Sequence, residues 1–165
     1  MAEVPPIAFT DSREDYEAPR APGVTLVYTS GLHLPQRVRP LCEELRQLAA
    51  TAQVVNVLEP VSAFFKLRTI RRQWEKRQPA VQSELASCIK RMSEPVEGAP
   101  AIDLGWIQGF TFAAGMSAFT ELNTSMSAVS ETLDRKAAYS MACFSLYIAL
   151  ISFVVSVVLG LLSIK

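Results

Sequence analysis

Apolar and polar positions keep a different rhythm in each part of this chain. Val24 to Tyr28 is a short, apolar, β-branched run closed by Thr29-Ser30-Gly31, which predicts a strand followed by a turn. From Val38 the set Val38, Leu41, Cys42, Leu45, Leu48, Ala49 and Ala52 recurs at helical spacing. Pro40 is tolerated only in a first turn, so this helix is expected to start near Arg39. Gln53 to Leu58 reads as a second strand, stopped by Glu59-Pro60. Strand, helix and strand in that order predict a small right-handed parallel βαβ unit over residues 23–60. A unit of about forty residues buries too little to stand alone, so it is expected to lean on later helices, a partner or a membrane surface.

Beyond Val61 the rhythm is helical and basic. Phe64, Phe65, Leu67, Ile70 and Trp74 interleave with Lys66, Arg68, Arg71, Arg72, Lys76 and Arg77. After Pro79, the positions Val81, Leu85, Ile89 and Met92 predict a second, shorter amphipathic helix within residues 61–92. Ser93-Glu94-Pro95 and Gly98-Ala99-Pro100 mark a linker over 93–103.

Two apolar stretches follow. Leu104 to Leu122 is uncharged as far as Thr120, the lower length limit for crossing a bilayer, and Gly105, Gly109, Ala113 and Ser117 recur in it every four residues. It is expected to be a first membrane helix buried against protein (104–122), the alternatives being an interfacial helix or one packed in a soluble core. Residues 123–137 then form a turn, and 138–163 a transmembrane helix. Met141 to Leu162 suffices for a hydrocarbon core of roughly 30 Å. The fold class is thus a mostly α membrane protein: a C-terminal transmembrane helix in a two-helix hairpin, preceded by a βαβ-like cytosolic unit and a basic juxtamembrane helix.

Small side chains in the last stretch are not scattered. Ala138, Ala142, Ser145, Ala149, Ser152 and Ser156 fall at steps of four and three, with bulky Phe144, Tyr147, Ile148, Ile151 and Val155 on the other faces. Helices in lipid associate through small residues that let backbones approach, and a 3.5-residue repeat implies a left-handed crossing. The alternative is that Ala and Ser are simply common in such helices.

Charge sets the expected topology. The chain is neutral overall, yet residues 61–92 carry eight Lys and Arg against two Glu. Positive charge is retained on the cytoplasmic side, so the N-terminal part is expected in cytosol or an equivalent organelle compartment. Met1 to Arg20 has no apolar run suited to a signal peptide, and four prolines with an acidic stretch at Asp11 to Asp15 predict a disordered tail over 1–22. Phe64, Phe65, Arg71, Arg72, Trp74 and Lys76 form a candidate lipid or partner surface, since each basic group near anionic lipid gains on the order of 1 kcal/mol. A neutral, membrane-anchored chain is not expected to bind nucleic acid.

Candidate chemistry adds little. Cys42, Cys88 and Cys143 form no CxxC, and the one histidine, His33, has no partner at ligand spacing, so neither a metal nor a cofactor is expected. With no paired carboxylates and no Ser/His/Asp set, an enzyme is not expected either. The loop Ser30-Gly31-Leu32-His33 after a strand resembles the opening of thioredoxin-like domains, but their dithiol is absent. Ala137 to Leu150 (AAYSMACFSLYIAL) resembles the second helix of the dispanin proteins, which implies a membrane-remodelling role; the cysteine and Pro-Trp features of that family's first hydrophobic segment are missing. The leading expectation is a non-enzymatic anchored subunit or adaptor. It would dock through Ala142, Ser145, Ala149, Ser152 and Ser156, and through Gly105, Gly109, Ala113 and Ser117, against other membrane helices in a hetero- or homo-oligomer, with a soluble cytosolic partner. A lipid-surface factor is the second reading and a degenerate thioredoxin-like enzyme the third.

Overall fold

A computed structural model describes residues 7–18, 24–99 and 103–163. In chain order these form β1 (Ile7–Thr10), α1 (Arg13–Glu17), β2 (Thr25–Tyr28), α2 (Leu34–Gln53), α3 (Pro60–Met92) and α4 (Leu104–Ser163). The chain divides into two compact units, one of residues 1–44 and 78–126, the other of residues 45–77 and 127–165. Each of the three long helices contributes to both.

In the first unit β1 and β2 pair in parallel, Ile7 opposite Thr25 and Thr10 opposite Tyr28. Parallel strands need a crossover, and α1 lies in it. Ser12 caps that helix by accepting from the Asp15 N–H, and Glu14 and Asp15 sit at its positive end. The other edge of β2 is closed by Glu97: Tyr28 N–H donates to the Glu97 carbonyl at 3.0 Å, and Glu97 N–H returns a bond at 3.3 Å. Gly98 comes next at φ +80°, where a Cβ would lie 2.6 Å from the Leu26 carbonyl oxygen. Only glycine lets the chain leaving α3 close on β2 there.

The strand expected at Gln53–Leu58 is absent. α2 stays helical through Gln53, and residues 54–59 form a turn region with Val54 and Leu58 exposed. The physical reason is edge occupancy: β1 takes one edge of β2 and the Glu97 bridge the other. The true partner, Ile7–Thr10, falls inside the tail expected to be disordered, of which residues 1–6 and 19–22 lie outside the described residues.

Both helix breaks assigned to proline are also overturned. α2 begins at Leu34 rather than Arg39 and runs through Pro40, and α3 is one helix running through Pro79. An interior proline costs about 3 kcal/mol, so burial must outweigh it. On α2 the buried side chains are Leu34, Val38, Cys42, Leu45 and Ala52. On α3, Leu67, Trp74, Val81 and Cys88 are buried seven residues apart, joined by Ala63 and Ile70. Each fully buried large apolar side chain contributes about 1.5–3 kcal/mol, so either stripe exceeds the proline penalty.

α4 replaces the expected hairpin. It is a single helix of 60 residues, about 90 Å long at 1.5 Å per residue, and residues 123–137 are helical throughout. The expected turn carries Ser125, Val129 and Leu133 on a buried stripe. Ile107, Ala118, Val129 and Ser140 on that stripe are eleven residues apart, as are Thr111, Leu122 and Leu133. An eleven-residue repeat is 3.67 residues per turn, near the natural 3.6, so the stripe holds one face without a left-handed supercoil. The charges that suggested a turn sit mostly on the exposed face, where Arg135 pairs with Glu131 at 3.7 Å. Residues 123–137 contain neither glycine nor proline, so nothing in the backbone stops the helix.

Contacts inside each unit tie these elements together. In the first, the Ser30 hydroxyl donates to the Arg91 carbonyl at 3.0 Å, Arg37 pairs with Glu84 at 3.3 Å, and a Cβ on Gly31 would sit 2.7 Å from the Thr111 methyl. In the second, Lys136 Nζ donates to the Val55 carbonyl at 3.1 Å, just past the C-terminal end of α2, where a cation is favoured.

Candidate membrane and docking surfaces

α4 loses its cover after Ser140. Every described side chain from Phe144 to Leu162 is exposed, and an 18-residue window of this helix has mean hydropathy 2.5 with 0% buried. The helix is long and apolar enough to span a membrane. Monomeric soluble proteins rarely bare contiguous apolar patches beyond a few hundred Å², and nineteen consecutive exposed residues all round a helix far exceed that.

Ala142, Ser145, Ala149, Ser152 and Ser156 lie exposed on this segment. Two of the hydroxyls have donors already engaged: Ser145 Oγ donates to the Met141 carbonyl at 3.0 Å, and Ser156 Oγ to the Ser152 carbonyl at 2.8 Å. Such back-bonding satisfies the donor within one helix, so at these two serines the seam offers room for a close backbone and spare acceptor capacity.

The row Gly105, Gly109, Ala113 and Ser117 is also exposed, and no atom lies within 4 Å of a Cβ built on Gly105 or Gly109. It shares the start of α4 with exposed Trp106 and Phe110, whose rings stack at 5.8 Å. The glycine this helix does use for packing is Gly115, buried against the Met92 side chain.

The basic segment divides differently from its sequence reading. Phe64 and Phe65 are exposed, their rings edge-to-face at 5.7 Å, and Arg71, Arg72 and Lys76 are exposed as well. Trp74 is buried at 7% exposure. It occupies a heptad core position of α3 and is no part of a surface, which corrects its assignment. Arg71 is held by Glu75 at 3.6 Å and by Asp134 at 4.0 Å.

Within the second unit the first half of α3 runs antiparallel to α4. Arg71 is beside Leu133, Phe64 beside Met141 and Phe144, and Val61 beside Tyr147 and Ile151. The α2–α3 end therefore places Val61, Phe64 and Phe65, each more than half exposed, alongside the beginning of the bare apolar helix.

No family model, curated protein or solved structure matches this chain.

Among the described residues no three His, Cys, Asp or Glu side chains converge as a metal site. Cys42 and Cys88 are buried, and desolvation raises the Cys88 thiol above its ordinary value. Tyr28 is pushed up by burial and by the Glu94 carboxylate, with Tyr16 and the Arg13 guanidinium against its ring at 5.9 and 5.6 Å. The turn at Ser30–His33, where an α/β fold would admit a ligand, is closed by Thr111 packed on Gly31.

Sequence reasoning missed Gly115 and Lys136. Gly115 lies off the four-residue small row, on the stripe with Thr111 and Ala118. Lys136 fell within the segment read as a turn, whereas it ties α4 to the end of α2.

Proposed function

We propose that this chain is a non-enzymatic, membrane-anchored subunit or adaptor. The end of α4 fixes it in a bilayer, and Ala142, Ser145, Ala149, Ser152 and Ser156 dock against another transmembrane helix in a hetero- or homo-oligomer. The cytosolic or matrix-equivalent part presents a soluble partner with the face bearing Gly105, Gly109, Ala113 and Ser117. The observation that carries this reading is that α4 remains helical and wholly exposed from Phe144 to Leu162. A segment so apolar needs lipid or protein around it, and small residues on one face favour a helix there.

The test is substitution of Ser145, Ala149, Ser152 and Ser156 by Leu in the full chain. Native mass measurement in mild detergent should show the assembly reduced to single chains, with carbonate-resistant membrane insertion unchanged. A wild-type protein that is already a lone chain, or an assembly indifferent to the substitutions, contradicts the docking role.

A second reading is favoured by one specific observation, the exposed Val61, Phe64 and Phe65 beside the start of the apolar segment. In it α3 meets the lipid surface with Arg71, Arg72 and Lys76 toward anionic headgroups.

A further inference from the structure

The turn that joins α2 to α3 is apolar and bare. Between Arg46 and Lys66 the chain runs nineteen residues with one charge, Glu59. Val54 and Leu58, expected in a strand, are 84% and 75% exposed, and Val61, Phe64 and Phe65 are each more than half exposed. Five large apolar side chains so close in sequence form a patch that needs a partner.

Much of the backbone at this corner is already paired inside the chain. Val54 N–H donates to the Ala50 carbonyl at 3.2 Å, Val55 N–H to the Ala52 carbonyl at 3.3 Å, and Leu58 N–H to Asn56 Oδ1 at 3.2 Å. The Val55 carbonyl accepts from Lys136, and the Glu59 carbonyl from Ala63 N–H. Such pairing lowers the cost of leaving water.

Position along α4 decides what covers the corner. Val61 lies beside Tyr147, Ile148 and Ile151, and Phe64 beside Met141 and Phe144. Counted back from Lys165, about seventeen to twenty uncharged residues put the near edge of a hydrocarbon core of roughly 30 Å between Ser145 and Ile148. Exposed Tyr147 stands at that edge, the level that tyrosine favours. If α4 spans the bilayer, Val61 is therefore at the membrane interface. Lys66 and Arg68 follow on α3 about 8–11 Å further out at 1.5 Å per residue, and Val54 is beside Lys66 and Ile70. Glu59 limits the depth: a carboxylate is costly in hydrocarbon, so the corner stops at the boundary between headgroups and acyl chains.

We propose that the α2–α3 corner is a second membrane contact, with Leu58, Val61 and Phe65 seated in the acyl boundary of the leaflet that α4 enters. Its partner is the bilayer itself, and no particular headgroup is required, because what the corner offers is apolar side chain. Lipid is chosen over a protein partner because acyl chains surround any surface at this level unless something displaces them. The inference rests on the membrane reading of α4 and deepens the second reading above, with apolar burial at the corner as the hold.

The experiment places one bimane label at a time on the full chain, lacking its native cysteines, in nanodiscs of uncharged phosphatidylcholine. Labels at Leu58→Cys and Phe65→Cys are compared with Ser127→Cys, exposed on α4 before the span, and Val154→Cys within it. Lipid with a doxyl quencher high on its acyl chain should quench both corner labels about twofold more than lipid with the quencher near the chain end, as an interfacial depth requires. Val154→Cys should show the reverse order, and Ser127→Cys should respond only to aqueous iodide. Adding Leu58→Asp should cut the quenching at Phe65→Cys about threefold, since a charge opposes burial in the acyl boundary, and leave Val154→Cys unchanged. Corner labels that iodide reaches as freely as Ser127→Cys overturn the proposal. So do corner labels shielded from both iodide and doxyl lipid, as a covering protein or second copy would give, and so does indifference to Leu58→Asp. While Val154→Cys is still quenched, each of these removes the corner contact and keeps the span; loss of that signal removes the span as well.

Discussion

Gly98 shows how a single residue can fix the closure of a unit. Its φ of +80° and the 2.6 Å approach of a would-be Cβ to the Leu26 carbonyl mean that Gly98→Ala must break the bridge between Glu97 and Tyr28 or strain the backbone. Left-handed backbone alone costs an L-residue about 1–2 kcal/mol, and the steric overlap adds to it. The variant should unfold at lower denaturant than wild type by at least that amount, measured by circular dichroism; an unchanged midpoint would contradict the closure. Cys88 supplies a pH prediction. Burial and the nearby Glu84 raise its thiol above its ordinary value, so the folded state favours the neutral form. That stability is full below about pH 9 and is lost as pH rises through the higher folded value. Melting temperature should accordingly fall above pH 9, and Cys88→Ala should flatten part of the decline. Maleimide should modify Cys88 only after denaturant is added.

At the scale of elements, the short patterns were legible and the long ones were misjudged. The strand at Thr25–Tyr28 and the helical spacing from Val38 to Ala52 could be read from apolar rhythm because both are local signals. Pro40 and Pro79 were over-weighted as stops, since tertiary burial of Trp74, Val81 and their neighbours is not visible in a local window. β1 was hidden because four residues beside prolines and an acidic run bury little themselves; pairing with β2 is what makes them a strand. In α4 the charges between Glu121 and Lys136 imitated a loop, although Leu122, Val129, Leu133 and Ser140 continue an eleven-residue stripe through them. Ser130→Pro separates the two descriptions. In a turn it would be tolerated, whereas inside α4 it should cost about 3 kcal/mol. A drop of that size in the unfolding free energy is expected, and its absence would restore the hairpin. Pro79→Ala should act in the opposite direction, stabilising α3 by up to about 3 kcal/mol, read as a raised denaturation midpoint.

For the whole molecule, the sequence conveyed that its C-terminal stretch is apolar enough to enter a bilayer but not how much of α4 the rest of the chain covers. The candidate surfaces divided accordingly. The small residues on the end of α4 are exposed, while Trp74 is in the core and the Gly105–Ser117 row faces away from its own chain's packing. The central proposal is that α4, one continuous helix, has its first part outside the bilayer and its last part as the span. Its most direct test is single-cysteine labelling by an impermeant maleimide in sealed vesicles, on a background lacking Cys42, Cys88 and Cys143. Cysteines at Ala113, Asn123 and Asp134 should all be modified from the side that carries Arg39, and cysteines from Leu146 to Val158 should be protected from both sides. Protection across residues 104–122, with Asn123 and Asp134 modified only from the opposite side, would contradict it.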